Sequence, residues 1–283
     1  MLRRLKTIFY YSKADAAMRR GRFDRAASDL SKVLQANRDN AAAHHDRGVA
    51  LQGMGNYRGA IDEFDRAIAI NPRLATAYAS RGISWKFLGD FDRAIADQTD
   101  AIALAPRLSD PHGELGVVHY CKQDFDEAIL SLNTAIALAP RNPEYVKYRG
   151  ITLFCRGDFQ AAAIDLKQAF DIAHDVYALL FLCLARVKMG EVTQLETEAR
   201  KLRNWHWPSA ITELYLGKRP ASSVLAAAGT ADERAEAQFY LGQWHLCRGN
   251  RDEARIALQA AAQSCPKWFV EHTAAVAELE RLS

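Results

Sequence analysis

The chain's 283 residues predict an all-α fold, a solenoid of antiparallel helix pairs stacked one on the next. Three observations lead there. Hydrophobic residues make up 49% and charged residues 25%, a globular composition, and 16 glycines and 8 prolines are too few for a turn-rich all-β protein. Glycines recur 34 residues apart, at Gly48, Gly82, Gly116 and Gly150. Alanines keep step at Ala60, Ala94, Ala128 and Ala162, and again at Ala67, Ala101, Ala135 and Ala169. A period of this length marks a repeated unit that buries its apolar face only against its neighbours.

Each recurring position has a physical reason. Glycine inside a helix is disfavoured by about 1 kcal/mol against alanine. Its retention in the first helix predicts close approach of the second, with the small alanines as partners. A second glycine at Gly55, Gly89 and Gly157, with Gln123 as the exception, fits a left-handed turn between the helices. The aromatic after that turn (Tyr57, Phe91, Phe125, Phe159) should plug the pair, and Pro72, Pro106 and Pro140 should end it.

The strict register covers 41–174 and gives units at about 41–74, 75–108, 109–142 and 143–176. An earlier unit at 7–40 fits through Gly21, Phe23, Ala26 and Leu30, which makes an N-terminal array over 1–174. The register breaks after His174, where a proline was due. Val176 to Met189 still reads as a helix with a broad apolar face, and Glu191 to Leu202 as its partner. A helix opened by Pro208 and closed by Gly217, then a short one at 220–228, complete a degenerate segment over 175–230. A last unit at 235–268, carried by Gly242, Gly249, Ala254, Ala261 and Pro266, and a capping helix from Trp268 to Leu282 fill 231–283.

These positions together resemble the signature of the tetratricopeptide (TPR) repeat. The resemblance implies a right-handed superhelix whose first helices line a concave groove that binds other proteins, without catalysis and without a cofactor. Counting from each first glycine, the groove-facing residues are His45, Val49 and Gln52, then Ile83, Lys86 and Phe87, then Val117, Tyr120 and Cys121, then Lys147, Ile151 and Phe154. Phe87, Tyr120 and Phe154 beside Lys86 and Lys147 suit an extended peptide or helix with apolar anchors and some negative charge. Arrays of this family that clamp a C-terminal carboxylate carry Asn where this chain has Val49, Ile83, Val117 and Ile151, so such a clamp is not expected.

A narrower resemblance covers 200–282. Trp207, Pro208, Ile211, Tyr215 and Lys218, then Phe239 to Gly242, Gly249, Ala254 and Phe269 to His272, are similar to the C-terminal part of the NlpI-type TPR lipoproteins of Gram-negative bacteria. That family implies a homodimeric envelope scaffold that brings a tail-specific protease together with peptidoglycan hydrolases. The chain as written opens on the basic stretch Met1 to Lys6, with only Thr7 to Tyr11 as an apolar run behind it and no lipidation cysteine nearby. As written it reads as cytoplasmic, and as an envelope protein if translation starts upstream.

One comparison between repeats bears on structure. The residue before the first glycine is Arg47, Arg81, Leu115 and Arg149, and sixteen positions later stand Glu63, Asp97, Ser131 and Asp165. Arginine and carboxylate occur together in three repeats and vanish together in the third. This predicts an ion pair bridging the two helices of one repeat, since pairing with the next repeat would orphan charges around the third.

Other classes of function find little support. A net charge of +3, alternating in sign along helix faces as at Arg58, Asp62 and Glu63, is no nucleic-acid footprint. No apolar run reaches the 18 residues of a spanning helix. The five cysteines (Cys121, Cys155, Cys183, Cys247, Cys265) lack the close pairs of zinc or redox sites and read mainly as packed side chains, with a Cys247–Cys265 disulfide conceivable in an oxidising compartment. His44 and His45 point about 100° apart on a helix and share no metal easily. His112 and His119 stand where core aromatics belong, and Trp205, His206 and Trp207 read as a hydrophobic anchor. The function expected is a non-catalytic scaffold. The alternative is an accessory domain that holds a small ligand in 175–230.

Overall fold

The computed structural model describes residues 2–191, 194–202 and 207–283, so Trp205 and His206 lie outside the described residues. Among those described, the chain forms seventeen α-helices and one 3-10 turn, with no strand. Two compact units result, Met1–Val118 and His119–Ser283. The first holds α1 (Leu2–Met18), α2 (Phe23–Ala36), α3 (Ala41–Gly53), α4 (Tyr57–Ile70), α5 (Ala75–Phe87), α6 (Phe91–Leu104) and the start of α7 (Ser109–Lys122). The second continues from α7 through α8 (Phe125–Leu138), α9 (Pro143–Arg156), α10 (Phe159–Ala173), α11 (Val176–Lys188) and α12 (Leu195–Ala199). Then come α13 (Ser209–Tyr215), a 3-10 turn at Ala221–Ser223, α14 (Val224–Ala227), α15 (Ala231–Leu246), α16 (Arg251–Ser264) and α17 (Val270–Leu282). The division falls inside α7, and α10 packs on α11 across residues 174 and 175.

Within each pair the sequence rules act locally. Gly55, Gly89 and Gly157 take left-handed backbone at φ +73°, +78° and +97°, and Gln123 adopts the same conformation at +66° without being glycine. The next residue caps the second helix. Asn56, Asp90 and Asp158 accept from the backbone N–H of Gly59, Arg93 and Ala161.

The in-helix glycines do bring helices together, although not onto alanine side chains. A Cβ on Gly48 would lie 2.5 Å from the Phe64 ring, one on Gly150 2.8 Å from Leu166, and one on Gly82 2.8 Å from Gln98. The space is filled by the side chain sixteen residues on. Alanines Ala60, Ala94, Ala128 and Ala162 are each 0% exposed, and the Ala94 carbonyl lies 3.2 Å from where a Cβ on Gly82 would sit.

Among the described residues of the partner helix expected over 191–202, α12 is the five-residue stretch Leu195–Ala199, in which Leu195, Glu198 and Ala199 turn inward, too few for an apolar stripe. Cys247 and Cys265 cap the C-terminal ends of α15 and α16, which run antiparallel. They therefore sit roughly 20 Å apart at about 1.5 Å per residue, and both are free thiols. His112 and His119 are half-exposed and not core, because each imidazole faces an oxygen: the Pro106 carbonyl at 3.1 Å and Asp124 at 3.4 Å.

Candidate functional site

Arginine sits at the seam between repeats. Arg47 donates to both oxygens of Glu63 (2.9 and 2.5 Å), Arg81 to both of Asp97 (2.9 and 2.7 Å), and Arg149 to both of Asp165 (2.7 and 2.8 Å). The third arm reaches the second helix of the preceding pair: Arg47 to Ser31 (3.3 Å), Arg81 to Asp65 (2.5 Å), Arg149 to Asn133 (2.7 Å). The ion pairs expected within each repeat form, and the forked guanidinium reaches the neighbouring repeat as well. Burial alone would raise the Glu63 carboxyl, yet hydrogen bonds from Arg47 and His44 bring it below its ordinary value. His44 lies buried with Nδ1 2.8 Å from Glu63, so it belongs to this seam and not to a metal site.

The first-helix face of unit 1 is a hydrogen-bonded strip. Tyr11 on α1 donates to Asp46 on α3 (2.5 Å), and His45 links Asp46 (3.0 Å) to Ser80 on α5 (3.3 Å). Gln52 donates to the Ser80 carbonyl (2.7 Å) and to Ser84 (2.9 Å). Phe87 stacks on Tyr57 with ring centroids 4.7 Å apart. His45, Val49, Gln52, Ile83 and Phe87 all remain half-exposed. Lys86 is buried, with Nζ 2.6 Å from Glu114, which removes it as a free orienting charge. Val117 is 6% exposed.

In unit 2 the equivalent positions are covered. Tyr120 and Phe154 are each 0% exposed, Ile151 1% and Cys121 8%, so the aromatics expected to anchor a partner are core residues. α17 lies against this face at Tyr120 and at the end of α9, while the Phe154 ring is enclosed by Phe159 and Phe181. Tyr120 donates to the Val270 carbonyl (2.6 Å), and Arg281 donates to the carbonyls of Phe154 (3.0 Å) and Cys155. Further along, Glu278 accepts from Lys188 on α11 (2.5 Å) and Gln243 on α15 (3.3 Å). Beneath, Phe154 meets Phe181 edge to face and Phe181 stacks on Phe239, with centroids 5.5 and 5.7 Å apart. Desolvation raises the buried Cys155 thiol to about 12, which makes it inert. Lys147 is tied to Glu144 (3.0 Å) and Asp175 (3.4 Å).

Near the start of α17 two carboxylates lie close together. Glu271 is 2% exposed and accepts from Tyr240 (3.1 Å), and Glu236 accepts from Trp207 Nε1 (2.7 Å) and Tyr177 (3.1 Å). Trp207, expected as a hydrophobic anchor, is held by a hydrogen bond. Sequence reasoning missed this cluster, because its members come from separate elements and share no spacing.

Tetratricopeptide repeat models match residues 17–80, 86–143 and 114–173. The chain belongs to the tetratricopeptide repeat family. Repeats of this family serve protein–protein interaction. Among solved structures, a TPR protein from Parabacteroides merdae aligns over 97% of this chain and 99% of its own, with 13% identity and a TM-score of 0.61. A thermophilic TPR protein from Thermus thermophilus covers 63% of this chain and 98% of its own at 19% identity and a TM-score of 0.55. MamA from Desulfovibrio magneticus covers 60% and 96% at 20% identity and a TM-score of 0.53. At these identities the fold is what is shared. Among the described residues, no helix is long and apolar enough to cross a membrane.

Proposed function

We propose that the chain is a non-catalytic TPR scaffold that binds partner proteins on the first-helix face of unit 1. One observation carries this reading: in unit 2 the same face is occupied by a helix, α17, held by backbone-directed and charge-assisted bonds. The first-helix surface of this chain therefore suits a helical or extended segment, and in unit 1 its residues keep part of their area in solvent. The side-chain carbonyl of Gln52 and the Ser80 hydroxyl supply hydrogen bonds, His45 is held in place by Asp46 and Ser80, and Val49, Ile83 and Phe87 supply apolar contact. The partner segment carries both apolar and hydrogen-bonding side chains.

The finer reading is an envelope adaptor of the NlpI type, acting as a homodimer that links a protease to peptidoglycan hydrolases. Its support is the residue pattern over 200–282, where Trp207 and Tyr215 fix the irregular segment to α15 through Glu236 and the Tyr240 carbonyl (2.8 Å).

Capture of partners from native lysate by wild type and by a His45→Ala, Gln52→Ala, Phe87→Ala variant tests both. A partner held by wild type and lost by a variant with unchanged circular dichroism supports the unit 1 face. A partner held equally by both moves binding elsewhere. A tail-specific protease among the partners supports the finer reading, and its absence from wild-type captures removes it.

A further inference from the structure

Unit 2 contains a cavity of about 320 Å3, near the lower end of the roughly 300–1,000 Å3 usual for small-ligand sites. Its walls are mostly aromatic and apolar: Tyr148 and Ile151 from α9, Tyr177 from α11, and Trp268, Phe269 and Val270 leading into α17. The polar groups are Lys147, Glu236 and Glu271. The 175–230 segment contributes Tyr177, with Trp207 behind it on Glu236.

The charges do not balance. Lys147 pairs with Glu144 and Asp175 and lies 5.8 Å over the Tyr148 ring, and its charge partly offsets Glu271 without bonding to it, so one cation stands against four carboxylates. Glu236 and Glu271 receive hydrogen bonds from neutral donors only, and among the described residues neither forms a salt bridge. Both bonds to Glu236 converge on Oε2, and Oε1 takes none from the described residues. Burial, then repulsion from Glu236, raises Glu271 to about 8; burial also raises Glu236, with Glu233 and Asp232 on its own helix adding to it against the hydrogen bonds from Trp207 and Tyr177. A cation entering the cavity would relieve that repulsion, and aromatic faces stabilise an organic cation. A hard metal ion needs several oxygen or nitrogen ligands, and no group of three or more suitable residues exists among those described.

We propose that this cavity binds a protonated primary amine on an apolar chain, the chemistry shared by a free alkylamine and a partner protein's lysine side chain. The site is independent of the unit 1 face. The titratable groups that interact with Glu271 are Tyr240 and Glu236 from α15, Tyr177 from α11, Lys147 and Cys155 from α9, Tyr120 from α7 and Cys265 after α16. Amine binding draws Glu271 into its ionised form, so affinity rises as pH passes through about 8 while the amine stays charged.

Isothermal titration calorimetry on the full chain tests this at pH 6.5 and 8.5. The probes are n-butylamine, Nα-acetyl-lysine N-methylamide and neutral n-butanol. Saturable amine binding that tightens roughly ten- to thirtyfold at the higher pH is expected, with n-butanol much weaker. Glu236→Gln should weaken amine binding about tenfold with its circular dichroism unchanged. Butanol binding as tightly as butylamine, amine affinity indifferent to pH, or no saturable binding each overturns the proposal. The wild-type comparison decides alone if the variant does not fold. Tighter binding of the lysine amide assigns the site to a partner's side chain, and tighter binding of butylamine assigns it to a free amine; either upholds the shared chemistry.

Discussion

Arg81 holds Asp97 with two bonds and Asp65 with a third, while Asp97 is only 4% exposed. Removing the guanidinium strands a nearly buried carboxylate, and that penalty exceeds what the pair contributes when intact. Arg81→Leu is expected to destabilise unit 1 by about 2–4 kcal/mol in urea unfolding. Adding Asp97→Ser, which reproduces the Leu115 and Ser131 of the third repeat, should recover most of that loss. Glu271 makes the opposite case. Its folded-state acid is raised to about 8 against an ordinary 4.5. The folded chain thus holds a proton that the unfolded chain has released, so this group's stabilising contribution is full below about pH 4.5 and is lost as pH rises through 8. Glu271→Gln should match wild type at pH 4.5, exceed it by roughly 2–4 kcal/mol above pH 8, and flatten the stability profile between them, as chemical denaturation across pH would read.

The helix pairs were legible in the sequence because their geometry is local. Gly48 must leave room for Phe64 sixteen residues on, Gly55 must turn the chain, and Asn56 must cap the second helix, all within one 34-residue unit. The face of those pairs was not legible. Gln52, Lys86, Tyr120 and Phe154 occupy one register position, yet the first is half-exposed and the last two are core. The difference is decided by α17, whose Val270 and Arg281 lie more than a hundred residues away in sequence, and by the Phe159 and Phe181 rings around Phe154. No periodicity in a first helix records whether water or another helix will cover it. Arg281→Ala removes the bonds to the last carbonyls of α9 and should destabilise unit 2 by about 1–3 kcal/mol. Hydrogen exchange is expected to accelerate in α9 and α11 and to stay unchanged in α2 through α6.

At the scale of the molecule, two compact units divide inside α7, each with its own buried residues. Thermal unfolding should accordingly resolve into two steps in calorimetry. Arg81→Leu should lower one of them and Arg281→Ala the other, whereas a single transition shifted by both variants would mean the units melt as one. The placement of α17 also has a consequence in time. Ribosomes add roughly 5–20 residues per second and domains fold as they emerge. Unit 1 can complete itself while synthesis continues, but the helix that bonds to Tyr120 and to the end of α9 is the last part of unit 2 to be made. For roughly six to twenty-five seconds a nascent chain therefore leaves Tyr120 and the end of α9 without their last helix, a natural target for ribosome-associated chaperones and a point where a stalled or truncated product would aggregate.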